Sequence, residues 1–209
     1  MKLYDCQMAP NPRRARIFLH EKNIDVEKVE HDIMGGETTQ EAFLNFNAWG
    51  TLPVLELDNG VTIRETPCIY RYIEDIQPQP NLLGTSPEET AEIGSWERFA
   101  ELQGLAAIGD VFRNQMEQMS GRGVTGSAKI DQVPALIDRG RVRAKWFFEQ
   151  IDKRLADSEY LGSNRYTAAD ITAQCAIDFG NAVGVPVPES FANIGRWLKA
   201  VSARPSATA

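Results

Sequence analysis

Histidine is scarce in this 209-residue chain. His20 and His31 are the only two, little material for a zinc site or a His-dependent triad. Cysteine is scarce as well. Cys6, Cys68 and Cys175 are odd in number, widely spaced and form no CxxC pair, which disfavours a disulfide framework and favours a reducing compartment. No apolar run approaches the roughly 20 residues of a membrane helix. Met1-Lys2-Leu3-Tyr4-Asp5-Cys6 lacks the apolar stretch of a signal peptide. Surplus positive charge is missing too: 22 basic residues face 29 acidic ones, a net −7. That balance argues against nonspecific nucleic-acid binding, which needs basic surface for counterion release. It also argues against docking on anionic lipid through a polybasic segment. A cytoplasmic protein with no metal site, no nucleic acid and no membrane partner is expected.

What is present has the make-up of an ordinary globular protein of one or two domains, with 43% hydrophobic and 24% charged residues. Residues 1–77 hold 8 basic and 13 acidic groups, so most of the negative surplus lies there. The pattern changes at the same place. Lys2-Leu3-Tyr4 is a short strand, and Asn11-Pro12 reads as a helix start, Asn at the cap and Pro at the first helical position. Ala15, Phe18 and Leu19 form its buried stripe. Val26 to Ile33 is strand-like, Gly35-Gly36 breaks the chain, and Glu37 to Asn45 is a short helix. Leu52 to Leu57 is a strand, turned by Asp58-Asn59-Gly60 into Val61-Thr62-Ile63. Thr66-Pro67 starts a helix that runs to about Gln77. The order is βαβ-α-ββα.

Beyond this the chain reads as helix. Residues 1–80 and 87–209 are expected as two domains joined by a linker at 81–86, flanked by Pro78-Gln79-Pro80 and Pro87. Ser86-Pro87-Glu88-Glu89 opens a helix reaching the region of Met119. Ser120 to Ser127, rich in Gly and Ser, reads as a flexible excursion. A helix follows from Val133 to about Leu155. Thr167-Ala168-Ala169-Asp170 is a capping-box start whose Asp170 has a structural role. A last helix carries Ile194, Trp197, Leu198 and Val201, and a frayed tail begins at Pro205.

Five features, weak singly and strong in their order and spacing, make the chain resemble the cytosolic glutathione transferase superfamily along nearly its whole length. They are Pro10-Asn11-Pro12-Arg13-Arg14-Ala15-Arg16; Asn47-Ala48-Trp49-Gly50-Thr51-Leu52-Pro53-Val54-Leu55; Glu65-Thr66 before a helix; the proline-rich linker; and Tyr166-Thr167-Ala168-Ala169-Asp170-Ile171. The resemblance implies a thioredoxin-like α/β N-terminal domain, an all-α C-terminal domain and a homodimer. It also implies glutathione as co-substrate, with no bound cofactor, and a small apolar electrophile as the second substrate.

The same resemblance distributes roles. Pro53 is expected cis, with Leu52 offering its N–H and C=O to the cysteinyl part of glutathione as an added strand would. Glu65 and Thr66 are expected to hold the γ-glutamyl group at a helix N-terminus, where free N–H groups and the dipole suit a carboxylate; a plain helix cap is the other reading. The glycyl end is poorly provided for. Thr38 and Thr51 stand where relatives commonly carry His or Lys, and Gln40 is the remaining candidate, equally readable as an exposed helix residue. The family activates the thiol with Tyr, Ser or Cys near the first helix, but Ala9, Pro10, Asn11 and Pro12 contain none. Asn11 is the available candidate: it either only caps the helix, or also donates from its NH₂ to the thiolate. Cys68 and Cys175 read as small buried residues. Ile108 and Phe112, with Arg113 and Met116, are candidates for the electrophile pocket or for core. Arg71, Trp96 and Arg98 belong either to a dimer surface or to a solvated face. A weakly active glutathione- or ligand-binding protein and a glutathione-dependent peroxidase are the alternatives to a transferase.

Overall fold

The computed structural model describes all residues from Met1 to Ala209. Four short strands form one mixed sheet in the order β2-β1-β3-β4, with β1 at Lys2–Asp5, β2 at Glu27–Glu30, β3 at Val54–Glu56 and β4 at Thr62–Arg64. β1 pairs parallel to β2 through the crossover helix α1 (Pro10–Glu21), whereas β3 runs antiparallel to both β1 and β4. Register is set by burial: Leu3 lies opposite Leu55, both fully buried, because a one-residue slip would turn them to the other face. α1 and α3 (Thr66–Ile76) cover one side, where Phe18 stacks on Tyr70 at 4.2 Å. α2 (Glu41–Phe46) covers the other side and forms a small cluster of Phe43 with Cys6 and Leu52.

The second half is helical. α4 (Pro87–Phe99), a π-helical segment (Ala100–Leu105) and α5 (Ala106–Gln115) form one uninterrupted rod. α6 (Ala135–Ala156) packs against it, and a Cβ on Gly140 would stand 2.6 Å from the Ala107 carbonyl. α7 (Ala168–Ala182) lies at the centre, followed by α8 (Ala192–Ser202). The expected capping box is present: Asp170 Oδ2 accepts from the Thr167 N–H and Oγ1, both at 3.0 Å. Its Oδ1 accepts from Leu161 N–H and Trp197 Nε1. Burial nevertheless pushes Asp170 up to about 6.

The architecture is the one read from the sequence, a thioredoxin-like α/β half followed by an all-α half, but several local expectations change. α1 begins at Pro10 with Ala9 as N-cap, and α3 begins at Thr66 with Glu65 as N-cap. Neither Asn11 nor Thr66 is therefore the cap. The rod stops at Gln115, short of Met119, because Met116 turns to extended backbone. Residues 120–127 are an anchored strap, as Arg122 donates to the Ile33 and Met34 carbonyls and Ser127 to those of Trp49 and Ala48. The C-terminal tail is not frayed either. It forms a short turn, Pro205–Thr208, in which Ser206 and Arg204 bond Glu21 of α1. Cys68 is exposed rather than buried.

Candidate functional site

The two halves meet along the first turn of α1. Arg14 is fully buried there. Its Nη1 donates to Asn11 Oδ1 at 2.9 Å, its Nε to Thr172 Oγ1 at 3.1 Å, and its Nη2 pairs with Glu97 at 3.2 Å. Glu101, in the π segment, lies 3.4 Å from the same Nη1. Burial holds Glu97 above the ordinary carboxylate range although Arg14 opposes it. Arg13 pairs with Asp178 of α7 at 2.7 Å and donates to the Ala207 carbonyl. Because arginine only donates, Asn11 must turn its oxygen toward Arg14, which leaves its NH₂ facing away from the salt bridge.

Tyr4, Cys6 and Cys175, the hydroxyl and thiols of the neighbouring elements, are engaged elsewhere. Tyr4 donates to Glu56 at 2.8 Å and packs on Phe46 over the α2 side of the sheet. Cys6 is buried against Phe43 and Leu52. Cys175 is buried within α7, which pushes its thiol up to about 11 and makes it unreactive. Asn11 is thus the polar side chain in the Ala9–Pro12 turn.

Leu52-Pro53 is cis, as expected. Leu52 is only 8% exposed, yet neither its N–H nor its C=O has a hydrogen-bond partner in the chain. Buried peptide groups are nearly always paired, so this pair is an open strand edge. Beside it, α3 carries no side-chain cap, and the Thr66 N–H is free. Glu65 is exposed with φ +66° and ψ 126°, a region that costs a non-glycine residue about 1–3 kcal/mol and that clusters at ligand sites. Thr66 is buried, and its hydroxyl reaches toward the Asn11 carbonyl at 3.5 Å. Leu52, Pro53, Glu65, Thr66 and Asn11 therefore share one edge of the N-terminal half.

The remaining candidates separate. Gln40 caps α2 through its backbone alone and its side chain is exposed. Ile108 is fully buried, packed near the Gly180 position of α7; it belongs to the core and is corrected as an electrophile contact. The physical reason is the face of α5 it shares with Ala107 and Val111, all fully buried where the helix meets Gly140 of α6 and Gly180 of α7. Gly109 is the residue beside open space. Phe112 is half-buried, edge-on to Phe179 at 5.5 Å, and Phe179 follows the Asp178 that holds Arg13. This aromatic pair thus lies one residue along α7 from the partner of Arg13, and Met8 is exposed on the turn before α1.

Sequence reasoning missed Arg122, because its partners lie 89 and 88 residues away. Nothing local marks such a contact. It treated Arg113 only as a pocket candidate, whereas Arg113 Nη1 donates to the Arg122 carbonyl at 3.1 Å. Burial, with the like charge of Arg122, lowers Arg113 to about 10.

Comparison with known proteins bears on the whole chain. The family models described as glutathione S-transferase, N-terminal domain and C-terminal domain match residues 9–76 and 126–205. Glutathione S-transferase 2 of Saccharomyces cerevisiae is 32% identical over 208 residues, covering 99% of this chain and 87% of the yeast protein. The crystal structure of Gtt2 from the same yeast superposes with a TM-score of 0.90 at 31% identity, over 99% of this chain and 98% of that one. A glutathione S-transferase domain-containing protein of Marinobacter aquaeolei gives a TM-score of 0.89 at 34% identity, over 99% of both chains. With the sheet, the cis proline and the uncapped α3 in the same order, the chain belongs to the cytosolic glutathione transferase superfamily.

Proposed function

We propose that this glutathione transferase joins the glutathione thiolate to a small apolar electrophile held between the β1–α1 turn and α5. The observation that carries the glutathione site is Leu52, a buried residue whose peptide N–H and C=O are both open. An extended cysteinyl segment would satisfy both groups, as in strand addition. The γ-glutamyl carboxylate would accept from the free Thr66 N–H and hydroxyl at the positive end of α3, and Glu65 would pair with the ammonium. The sulfur then falls toward the first turn of α1. There Asn11 Nδ2 and the helix dipole favour thiolate over thiol. Asn11 has no basic group, so it stabilises the anion and the thiol proton leaves to solvent. Phe112, Phe179 and Met8 offer the electrophile an apolar wall. Proximity of the two reactants would supply much of the rate.

The acidic N-terminal half makes local hydrogen bonds carry the recognition of an anionic tripeptide. A second copy of the chain would cover Trp96, Phe99, Leu102, Val142 and Trp146, whose rings interlock edge-on at the surface of the helical half. A cytoplasmic location fits a chain in which no helix is long and apolar enough to cross a membrane.

A glutathione-binding protein without transferase chemistry is the second reading, favoured by the lack of hydroxyl or thiol in Ala9–Pro12. Conjugation of glutathione to an activated aryl halide, followed by absorbance, decides between them. Turnover that is lost on Glu65→Ala supports the transferase; tight glutathione binding without turnover on any electrophile supports the second reading.

A further inference from the structure

The arginines of α1 divide by partner. Arg13 and Arg14 cross to α7 and to the rod. Arg16 turns back instead, since helix side chains lean toward the N-terminus, and it reaches the β1–α1 turn of its own half. It is 2% exposed, and its partner Asp5, the last residue of β1, is 1% exposed. Arg16 Nη1 donates to Asp5 Oδ1 at 2.5 Å and to the Cys6 carbonyl at 3.4 Å, and Nη2 to the Gln7 carbonyl at 3.0 Å. Its Nε is buried without an acceptor in the chain.

Both peptide groups of the turn are held by charge. Asp5 Oδ1 also accepts from the Cys6 N–H at 2.8 Å, and Glu30 at the end of β2 accepts from the Gln7 N–H at 2.7 Å. The Ala9 N–H then closes on the Cys6 carbonyl at 3.0 Å, and the Ala9 carbonyl accepts from the Arg13 N–H at 3.2 Å. This chain of bonds matters because α1 does little to fix its own first turn. Ala9 gives no side-chain cap, and Pro10 and Pro12 have no N–H to donate. Asn11 takes its backbone position from a turn that Arg16 and Asp5 hold. A buried ion pair adds little net stability over apolar side chains of the same volume, and one placed for stability alone would not leave a buried donor unmet. What this pair fixes is the path of the chain from Cys6 to Ala9.

We propose that Arg16 is a positioning residue for the transfer step: with Asp5 it sets the β1–α1 turn so that Asn11 Nδ2 meets the glutathione sulfur. This rests on the glutathione reading above. Arg16 touches neither reactant, and Leu52 and Thr66, which would hold the cysteinyl and γ-glutamyl parts, lie outside the turn. Loss of the pair should therefore spare glutathione binding and slow the chemistry.

Arg16→Met alone leaves Asp5 buried without its cation, so the test uses the double variant Asp5→Asn/Arg16→Met, in which no charge is left unpaired and an amide oxygen still faces the Cys6 N–H. Thermal melts, glutathione titration, kcat and the thiolate absorbance of bound glutathione are compared with wild type and with Arg16→Lys. The double variant should melt close to wild type and bind glutathione within about threefold. Its kcat should fall about a hundredfold, the scale of a small misplacement in a positioned reaction, with the bound thiol titrating higher. Arg16→Lys keeps the Asp5 pair without the fork that also reaches Gln7, and its kcat should lie between the two. Added to Asn11→Ala, the double change should cost little more, because both act on one group. Unchanged kcat would overturn the proposal. So would an equal loss of kcat and glutathione affinity, or losses that add fully to that of Asn11→Ala. Should the double variant not fold, Arg16→Lys decides: wild-type kcat overturns the proposal, and a fall with affinity retained supports it. If wild type itself neither binds nor turns over glutathione, the glutathione reading fails instead.

Discussion

Arg14 Nη1 donates to Asn11 Oδ1 at 2.9 Å, and this bond fixes which end of the amide faces the open edge. A buried guanidinium accepts nothing, so the oxygen is consumed inward and the NH₂ is turned outward. The same guanidinium is held by Glu97 and Glu101 of the rod. Asn11 is thereby oriented by Arg14 of its own helix, which the helical domain in turn holds in place, and its role departs from simple capping. Asn11→Asp tests this. The carboxylate would keep the Arg14 bond but lose the outward donor and add negative charge beside the sulfur. Turnover at neutral pH is expected to fall at least as far as in Asn11→Ala, with the bound thiol titrating higher. A fully active Asn11→Asp enzyme would contradict the role.

Glu65 carries its φ of +66° without being glycine. Glu65→Gly should release the backbone cost and raise thermal stability by about 1 kcal/mol, after the added entropy of an unfolded glycine. The same change should weaken glutathione through loss of the ammonium partner. A calorimetric melt and a glutathione titration of one variant check both. Lower stability with unchanged binding would remove Glu65 from the site.

Arg14→Met would leave Glu97 buried without its cation. The expected cost is about 3–5 kcal/mol, read in urea unfolding, unless the carboxyl protonates. Glu97 already lies above the ordinary range, so the loss should be smaller in acid than at neutral pH.

Asp170, pushed up to about 6 by burial, has a folded pKa above its unfolded value near 3.9. A raised pKa contributes stability that is complete below the unfolded value and is lost as pH rises through the folded one. Relative to Asp170→Asn, which does not titrate, wild type should lose up to about 3 kcal/mol between pH 4 and 6. The Asn variant itself should be less stable throughout, having no acceptor pair for Thr167 and Trp197. A pH-independent difference would contradict the assignment.

Trp146→Glu places charge in the edge-on Trp96, Phe99, Trp146 cluster. If a second copy covers this face, sedimentation should show a dimer turning monomeric with the fold intact. An unchanged mass would leave the face without that partner.

Much of the fold was legible because its signals are local. Asp58-Asn59-Gly60 between alternating runs marks a hairpin, and Thr167 to Asp170 marks a helix start. Glu65-Thr66 and Leu52-Pro53 were found through family spacing, not through physics that the sequence displays. Asn11 was placed one role off because Pro10, not Pro12, opens the helix. For Ile108 the sequence left pocket and core both open, because what buries it, the Gly180 position of α7, lies some seventy residues away in the chain. The strap was read as flexible because glycine and serine suggest mobility, whereas its order comes from carbonyls nearly ninety residues distant.

The most direct test is the thiolate absorbance of bound glutathione titrated from pH 5 to 10 in wild type and in Asn11→Ala. The bound thiol of wild type should titrate at least about one unit below the ordinary cysteine value near 8.5, and Asn11→Ala should return most of that shift. A wild-type thiol that titrates like free glutathione would contradict thiolate activation at this site.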